Sequence, residues 1–381
     1  MSSETLPDID WQSVPTPCLV FDPVRLEGNL RVLAGVKEHT GCRVLLALKA
    51  FALPGVFSRL KGVLDGVCAS SPYEARLGRE EFGGEIHVYA PAYSEADMRE
   101  IRGAADHVVF NSSAQLKRYR RATEGLSRGL RVNPRHSEVD VALYDPCAPQ
   151  SRLGITAPVF REVNLEGVEG LHFHTLCELN ADSLERTLRV VERDFGWCFD
   201  RLRWVNMGGG HQITRSGYDL DLLKDLISVF RAKHPGVQVY LEPGEAVVLN
   251  AGYLAATVLD IVRNEIDIAI LDTSAAAHMP DVLEMPYRPD VLNSGVAGEY
   301  AHTYRLAGLT CLAGDVIGDY SFREPLAPGK RVVFRDMAHY TTVKATTFNG
   351  LRLPSLAVYE PGGGLKIIRT SSYEDYRSRL S

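Results

Sequence analysis

The sequence predicts an α/β protein with an added all-β part: a (β/α)8 barrel over about residues 22–250, followed by strands alone. Three observations predict it. Apolar runs of strand length recur at the spacing of one βα unit, and segments of helical pattern lie between them. Beyond residue 250 the helical segments cease while strand-length runs continue, separated by Gly, Pro and Asp turns. A doubly wound open sheet would give the same alternation over the first part, so both architectures stay open on pattern alone.

The elements follow in order. Pro17-Cys18-Leu19-Val20-Phe21 reads as a strand, and Asp22-Pro23 as the N-cap and first turn of a helix reaching Val36. Because this strand precedes the barrel, it is expected to pair with the C-terminal domain. Eight strands then come at 44–48, 65–69, 86–89, 107–110, 129–132, 170–174, 203–207 and 237–241. Helices are expected over 71–82, where Pro72 suits a first turn, and over 94–103, 182–195 and 218–234. Further strands lie at 255–262, 266–271, 305–309, 331–334 and 365–369. The expected domains are therefore 22–250, and 1–21 together with 251–381.

A chain of 381 residues with 45% hydrophobic and 24% charged residues is a soluble globular protein, neither disordered nor fibrous. No apolar run approaches the roughly 18 residues of a membrane span. The start Met1-Ser2-Ser3-Glu4 lacks a signal-peptide pattern, so a cytoplasmic protein without a membrane partner is expected. The net charge of −6, with 42 basic residues spread along the chain, argues against nucleic acid and suits a cationic small molecule. Seven scattered cysteines without the short spacings of zinc or redox motifs read as free thiols.

Lys49 ends an apolar strand and is followed by Ala50-Phe51-Ala52-Leu53. It is either a desolvated amine at a barrel mouth, with its pKa lowered for Schiff-base chemistry, or a lysine snorkelling to solvent. Gly208-Gly209-Gly210 follow a strand directly and either let backbone amides approach an anion or make a flexible turn. Glu242 in Glu242-Pro243-Gly244-Glu245 puts a carboxylate at the end of the eighth strand, to pair with a protonated ring nitrogen or simply to face solvent. His172 and His174 share a face, as two metal ligands do, or one stacks on a planar cofactor while the other is a core histidine. Cys311, with Asp315 four residues on, is a reactive or a buried thiol. Tyr340, with Asn349-Gly350, is a ligand loop or ordinary turn chemistry.

Together, and in this order, these pieces resemble the fold-type III pyridoxal-phosphate-dependent decarboxylases related to alanine racemase and ornithine decarboxylase. The likeness spans nearly the whole chain. Leu46-Ala47-Leu48-Lys49-Ala50, the run Gly170 to Glu178 containing His174-Thr175-Leu176-Cys177-Glu178, Asp272-Thr273-Ser274-Ala275 and Met285-Pro286-Tyr287-Arg288-Pro289 look most like the carboxynorspermidine/carboxyspermidine decarboxylases. The resemblance implies an N-terminal TIM barrel and a C-terminal β-sandwich or β-barrel domain. It implies pyridoxal 5'-phosphate held covalently by Lys49, with His174 stacked on the ring and Glu242 on the pyridine nitrogen. Gly208, Gly209, Gly210 and Tyr340 would bind the phosphate, and no metal is implied. Cys311 would come from the partner subunit of a homodimer as proton donor. The products would be norspermidine or spermidine and carbon dioxide, in polyamine biosynthesis.

Two positions depart from the ornithine decarboxylase pattern. Glu245 stands where arginine follows Glu-Pro-Gly, and Leu312 stands where an aspartate adjoins the cysteine. A carboxylate at 245 does not neutralise phosphate, which makes Glu245, Glu284 and Asp315 candidates for the amino groups of a longer polyamine. The rival readings are decarboxylation of diaminopimelate, ornithine or arginine, a non-catalytic regulatory homologue, and a metal-dependent hydrolase built on His172 and His174.

Overall fold

Strands buried on both faces read as continuous apolar runs, and such runs form a parallel ladder here. The computed structural model describes residues 8–285, 287–362 and 364–381. The acidic start Met1-Ser2-Ser3-Glu4 and Pro286 of the Met-Pro-Tyr-Arg-Pro run lie outside the described residues. The chain divides into two units, one of Gly28–Val247 and one of Met1–Glu27 with Val248–Ser381.

The first strand, β1 (Cys18–Phe21), belongs to the second unit. The barrel starts at β2 (Arg43–Ala47) and continues through β3 (Gly66–Ala69), β4 (Glu85–Tyr89), β5 (His107–Phe110) and β6 (Ser127–Asn133). A two-residue β7 (Ile155–Thr156) lies beside β6, and β8 (Gly170–His172), β9 (Trp204–Asn206) and β10 (Gln238–Leu241) complete the ladder. All pairings are parallel, and β10 closes onto β2 with Tyr240 opposite Arg43 and Leu241 opposite Val44. That closure decides for the barrel over the open sheet. Leu45, Val109, Trp204 and Tyr240 pack together inside it, joined by the stacked rings of His87 and His107, whose centroids are 3.8 Å apart.

The helices start where short polar side chains can take up free amides. Ser71 accepts from the Glu74 amide ahead of Pro72–Leu77, and Ser94 forms a capping box with Asp97 at Glu95–Ala104. Asn180 and Asp219 cap Ala181–Phe195 and Leu220–Lys233. The helix expected over 71–82 ends at Leu77 and continues as a wider π turn, Gly78–Phe82.

The second unit is a mixed nine-stranded sheet. Its long strand β11 (Gly252–Asn264) pairs with β1 and with β16 (Arg331–Arg335) through its first half. From Val258 onward it pairs with β12 (Ile266–Leu271) instead. Strands β13 (Ser294–Val296), β14 (His302–Ala307) and β15 (Val316–Phe322) extend the sheet beyond β12, and β17 (Ser355–Glu360) and β18 (Gly364–Arg369) extend it beyond β1. As expected, the first strand joins this sheet: β1 runs antiparallel to β11 and parallel to β17. Its Cys18 and Val20 pack with Val14, Tyr253, Ala255, Val333 and Ala357. The sequence showed no regular helices beyond residue 250, yet among the described residues there three α-helices of about one turn each form: Ala275–His278, Asp281–Glu284 and Tyr373–Arg377. They are too short to leave a periodic trace. Among the described residues, no helix is long and apolar enough to cross a membrane.

Candidate active site

Four barrel strands deliver the flagged residues at their carboxyl ends. Lys49 follows β2, His174 follows β8, Gly208 to Gly210 follow β9 and Glu242 follows β10. This is the end of a closed barrel at which loops gather reactive groups.

Glu242 is buried, and both of its oxygens are held. Its Oε2 lies 3.1 Å from His172 Nε2, and its Oε1 accepts from Asn206 Nδ2 at 2.6 Å. Burial acts to raise the Glu242 carboxyl, but the groups around it, His172 first and with them the Cys68 thiol, outweigh burial. The carboxyl is therefore held well below the usual carboxylate range. Burial also pulls His172 below the ordinary imidazole value in spite of the facing carboxylate. The pair is thus an ionised carboxylate and a neutral imidazole donating from Nε2.

The glycine turn is shaped by close approach. Gly208 and Gly210 have φ of +77° and +78°, and a Cβ on Gly210 would lie 1.8 Å from the Leu176 carbonyl oxygen. The Gly208 amide donates to Asn206 Oδ1 at 2.9 Å, and the Gly209 amide to His174 Nδ1 at 2.9 Å. This corrects the expectation that all three glycine amides face an anion: these bonds take two of them and leave only that of Gly210. Accepting at Nδ1 puts the His174 proton on Nε2. Burial, then the charges of Lys49 and Arg131, push His174 well below the ordinary value, so its ring is neutral. His172 is bound to Glu242 and His174 to Gly209, and neither belongs to the group of side chains that the described residues bring within metal-ligating distance of one another, Glu85, His87 and His107.

Of the two environments open to Lys49, the structure shows the solvent-facing one. Lys49 stands in a turn between buried Leu48 and Ala50, yet the residue itself is exposed, not desolvated. Its ammonium charge acts on His174, His172, Cys68 and Glu74, so it faces the same floor.

Sequence reasoning missed Arg131, Asn206 and Cys68. Arg131 is 5% exposed, donates to the His174 carbonyl at 3.2 Å and lies 4.6 Å from the Tyr89 ring centroid. A cation inside the apolar run Gly129-Leu130-Arg131-Val132 is the signal that would have found it, as it found Lys49. Burial raises the Cys68 thiol well above its usual value, which keeps it a donor to Glu242. Asn206 gave no sequence signal beyond its place ahead of the glycines.

Glu245 opens the one-turn helix Glu245–Val248, half-buried, and its Oε1 accepts from Gln212 Nε2 at 2.7 Å. The other flagged residues belong to the second unit. Cys311 is exposed, and its amide donates to Asn349 Oδ1 at 2.8 Å. Tyr340 is half-buried in the loop after β16, with a left-handed backbone of φ +53°. Glu284 is ion-paired with Lys344 at 2.5 Å. Asp315 corrects another expectation, because it is 3% exposed and both of its oxygens are engaged within its own unit. Its Oδ2 accepts from the Ser274 and Thr310 hydroxyls and the Thr310 amide, and its Oδ1 from the Ala276 amide.

A family model described as the pyridoxal-dependent decarboxylase, C-terminal sheet domain, matches residues 18–338. The chain belongs to the pyridoxal-dependent decarboxylases. This decarboxylase is 45% identical over 380 residues to a carboxynorspermidine/carboxyspermidine decarboxylase of Campylobacter jejuni, covering 97% of this chain and 99% of that one. It is 44% identical to a carboxyaminopropylagmatine decarboxylase of Synechocystis, covering 97% and 96%. Among solved structures it is similar to carboxynorspermidine decarboxylase from Campylobacter jejuni complexed with norspermidine. There the TM-score is 0.90 at 45% identity, over 96% of this chain and 100% of that one. Diaminopimelate decarboxylase from Helicobacter pylori, with a TM-score of 0.83 at 16% identity over 97% and 98% of the chains, shares the fold.

The decarboxylase uses pyridoxal 5'-phosphate, and its residues fit that group. Glu242 is a buried anion whose hydrogen-bonding neighbours are neutral donors, which suits a protonated ring nitrogen. A Cβ on Gly208 would meet His174, and one on Gly209 would meet the Glu242 carbonyl at 2.2 Å, so the floor beside these residues stays open only with glycine there.

Proposed function

We propose that the chain converts carboxynorspermidine or carboxyspermidine to norspermidine or spermidine and carbon dioxide, as a homodimer in polyamine biosynthesis. The observation that carries this reading is the full-length relationship to the Campylobacter jejuni enzyme at 45% identity. When bound, pyridoxal phosphate supplies a ring that takes up the electron pair released as carbon dioxide leaves.

The chain's own residues hold that group and move the proton. Lys49 would hold the cofactor through its Nζ and would give it up to the substrate's α-amino group. His174 presents a neutral ring face, and ionised Glu242 keeps the ring nitrogen protonated. The Gly210 amide and the Tyr340 hydroxyl take the phosphate. Glu245 meets a substrate ammonium, and Glu284 is a second carboxylate for that task once Lys344 gives way. Cys311 of a second copy supplies the proton to the carbon that has lost its carboxylate. Exposure supports this last step: Cys311 is exposed, and Leu309, Leu312 and Phe348 of the same two loops are 42%, 46% and 45% exposed. Apolar surface of that kind suits cover by a second copy.

A substrate panel tests the reading. Carboxynorspermidine, carboxyspermidine, carboxyaminopropylagmatine, diaminopimelate, ornithine and arginine would be compared by carbon dioxide release and kcat/KM. Preference for one of the first two is expected. Preference for diaminopimelate, ornithine or arginine would sink it. The Synechocystis relative favours a second reading, carboxyaminopropylagmatine, whose guanidinium end also suits Glu245. Borohydride treatment of the holoprotein should fix the cofactor on Lys49, as identified by peptide mass.

A further inference from the structure

The Cys311 loop is held at two places. Its ends are joined by the Gly308 amide donating to the Asp315 carbonyl at 2.9 Å, and the Asp315 amide donates to the Leu312 carbonyl at 3.0 Å. The Asp315 carboxylate then ties the loop to Ser274 and Ala276 through the bonds described above. This frame, with the Leu309 amide donating to the Thr273 carbonyl at 3.3 Å, fixes the base of the loop, and among the described residues one hydrogen bond from outside the loop reaches its tip. That contact is the Cys311 amide donating to Asn349 Oδ1.

Asn349 suits this task in two ways. Its backbone is left-handed, with φ 55° and ψ 17°, a conformation in which asparagine is among the few comfortable side-chain-bearing residues. The turn Phe348–Gly350 that it centres thereby aims its side-chain carbonyl at the amide of Cys311. An alanine there would lose both the conformation and the acceptor.

We propose that Asn349 is a positioning residue for proton delivery: by holding the Cys311 amide it sets where the thiol points. This rests on the reading of Cys311 as proton donor. In that step the Sγ–H bond breaks, a C–H bond forms at the carbon that has lost carbon dioxide, and the thiolate regains its proton from solvent. With the thiol held off line, the proton would be delivered elsewhere on the conjugated system, and water would then release the product as an aldehyde, with the cofactor keeping the amino group.

Two variants separate the hydrogen bond from the backbone. Asn349→Gly keeps the left-handed conformation and removes the acceptor, whereas Asn349→Asp keeps an acceptor oxygen. Each is made in the holoenzyme and in a Cys311→Ala background. The measurements are kcat, KM and the fraction of turnovers yielding aldehyde. Asn349→Gly should lower kcat about tenfold with KM unchanged and raise the aldehyde fraction, and Asn349→Asp should restore both. In the Cys311→Ala background Asn349→Gly should add no further loss. Wild-type kcat and product in Asn349→Gly, or an equal loss in both backgrounds, would overturn the proposal alone. Wild-type behaviour of Cys311→Ala itself would overturn the proton-donor reading and the proposal with it.

Discussion

Asn206 donates from Nδ2 to Glu242 Oε1 across 2.6 Å, and the same side chain accepts the Gly208 amide at its Oδ1. One buried amide group thus joins the carboxylate to the glycine turn. Removing it takes one acceptor from the buried Gly208 amide and one donor from the buried Glu242 carboxylate. Asn206→Ala should therefore cost about 2–4 kcal/mol of stability and weaken retention of pyridoxal phosphate. Chemical denaturation and cofactor titration measure the two effects; unchanged values in both would refute the bridge. Asn206→Asp, which sets carboxylate against carboxylate, should be worse.

Gly210 and Gly217 both have positive φ, +78° and +83°. Only the first has backbone pressed against the missing side chain; nothing lies within 4 Å of a Cβ at Gly217. Gly217→Ala should cost about 1 kcal/mol from backbone conformation alone. Gly210→Ala should cost several times that, together with the bound cofactor. Equal melting shifts for the two variants would contradict this.

Acid should destabilise the barrel through His87 and His107. Burial takes His87 from the ordinary 6.5 down to about 4, and burial with the His87 and Arg43 charges takes His107 down to about 3. The unfolded chain binds these protons from 6.5 downward while the folded chain resists. Stability should be full above pH 6.5 and fall as pH drops toward 4, by about 3 kcal/mol for His87. His87→Gln should flatten the slope of unfolding free energy against pH in that window, and parallel curves for variant and wild type would reject the assignment.

If the site draws Cys311 from a second copy, two defective variants should complement each other. Lys49→Ala, inactive alone, and Cys311→Ala, slowed and releasing aldehyde alone, should together recover about one quarter of the wild-type output of amine product when refolded in equal amounts. No recovery from a mixture shown to contain mixed dimers would place both groups in one subunit's site.

Glu245→Gln should raise KM for a triamine about tenfold with kcat little changed, because it removes a charge met by a part of the substrate remote from the chemistry. A fall in kcat at constant KM would move Glu245 out of substrate binding.

Local signals carried much of this structure. All eight barrel strands were legible because each is a buried apolar run, and Lys49 stood out as a cation at the end of one. Arg131 carries the same signal one residue from the middle of its run and was passed over. Strand β15 was hidden because Gly318-Asp319 interrupts its apolar pattern. Asp315 was visible as a carboxylate but not as an engaged one, since two of its partners, the Ser274 hydroxyl and the Ala276 amide, are 41 and 39 residues away. Pairings of that range belong to the folded chain and have no mark in local sequence. The hold of Asn206 on Glu242 spans 36 residues and escaped for the same reason.

The place of β1 has a consequence for synthesis. Its two neighbours, β11 and β17, start at Gly252 and Ser355. On the ribosome this strand emerges with both edges unpaired, and it waits through the making of an entire barrel before its first partner exists. Its second partner arrives later still, after every other strand of its sheet but β18. Four residues of Cys-Leu-Val-Phe are exposed for that interval as an apolar strand with both edges open, the kind of surface chaperones cover.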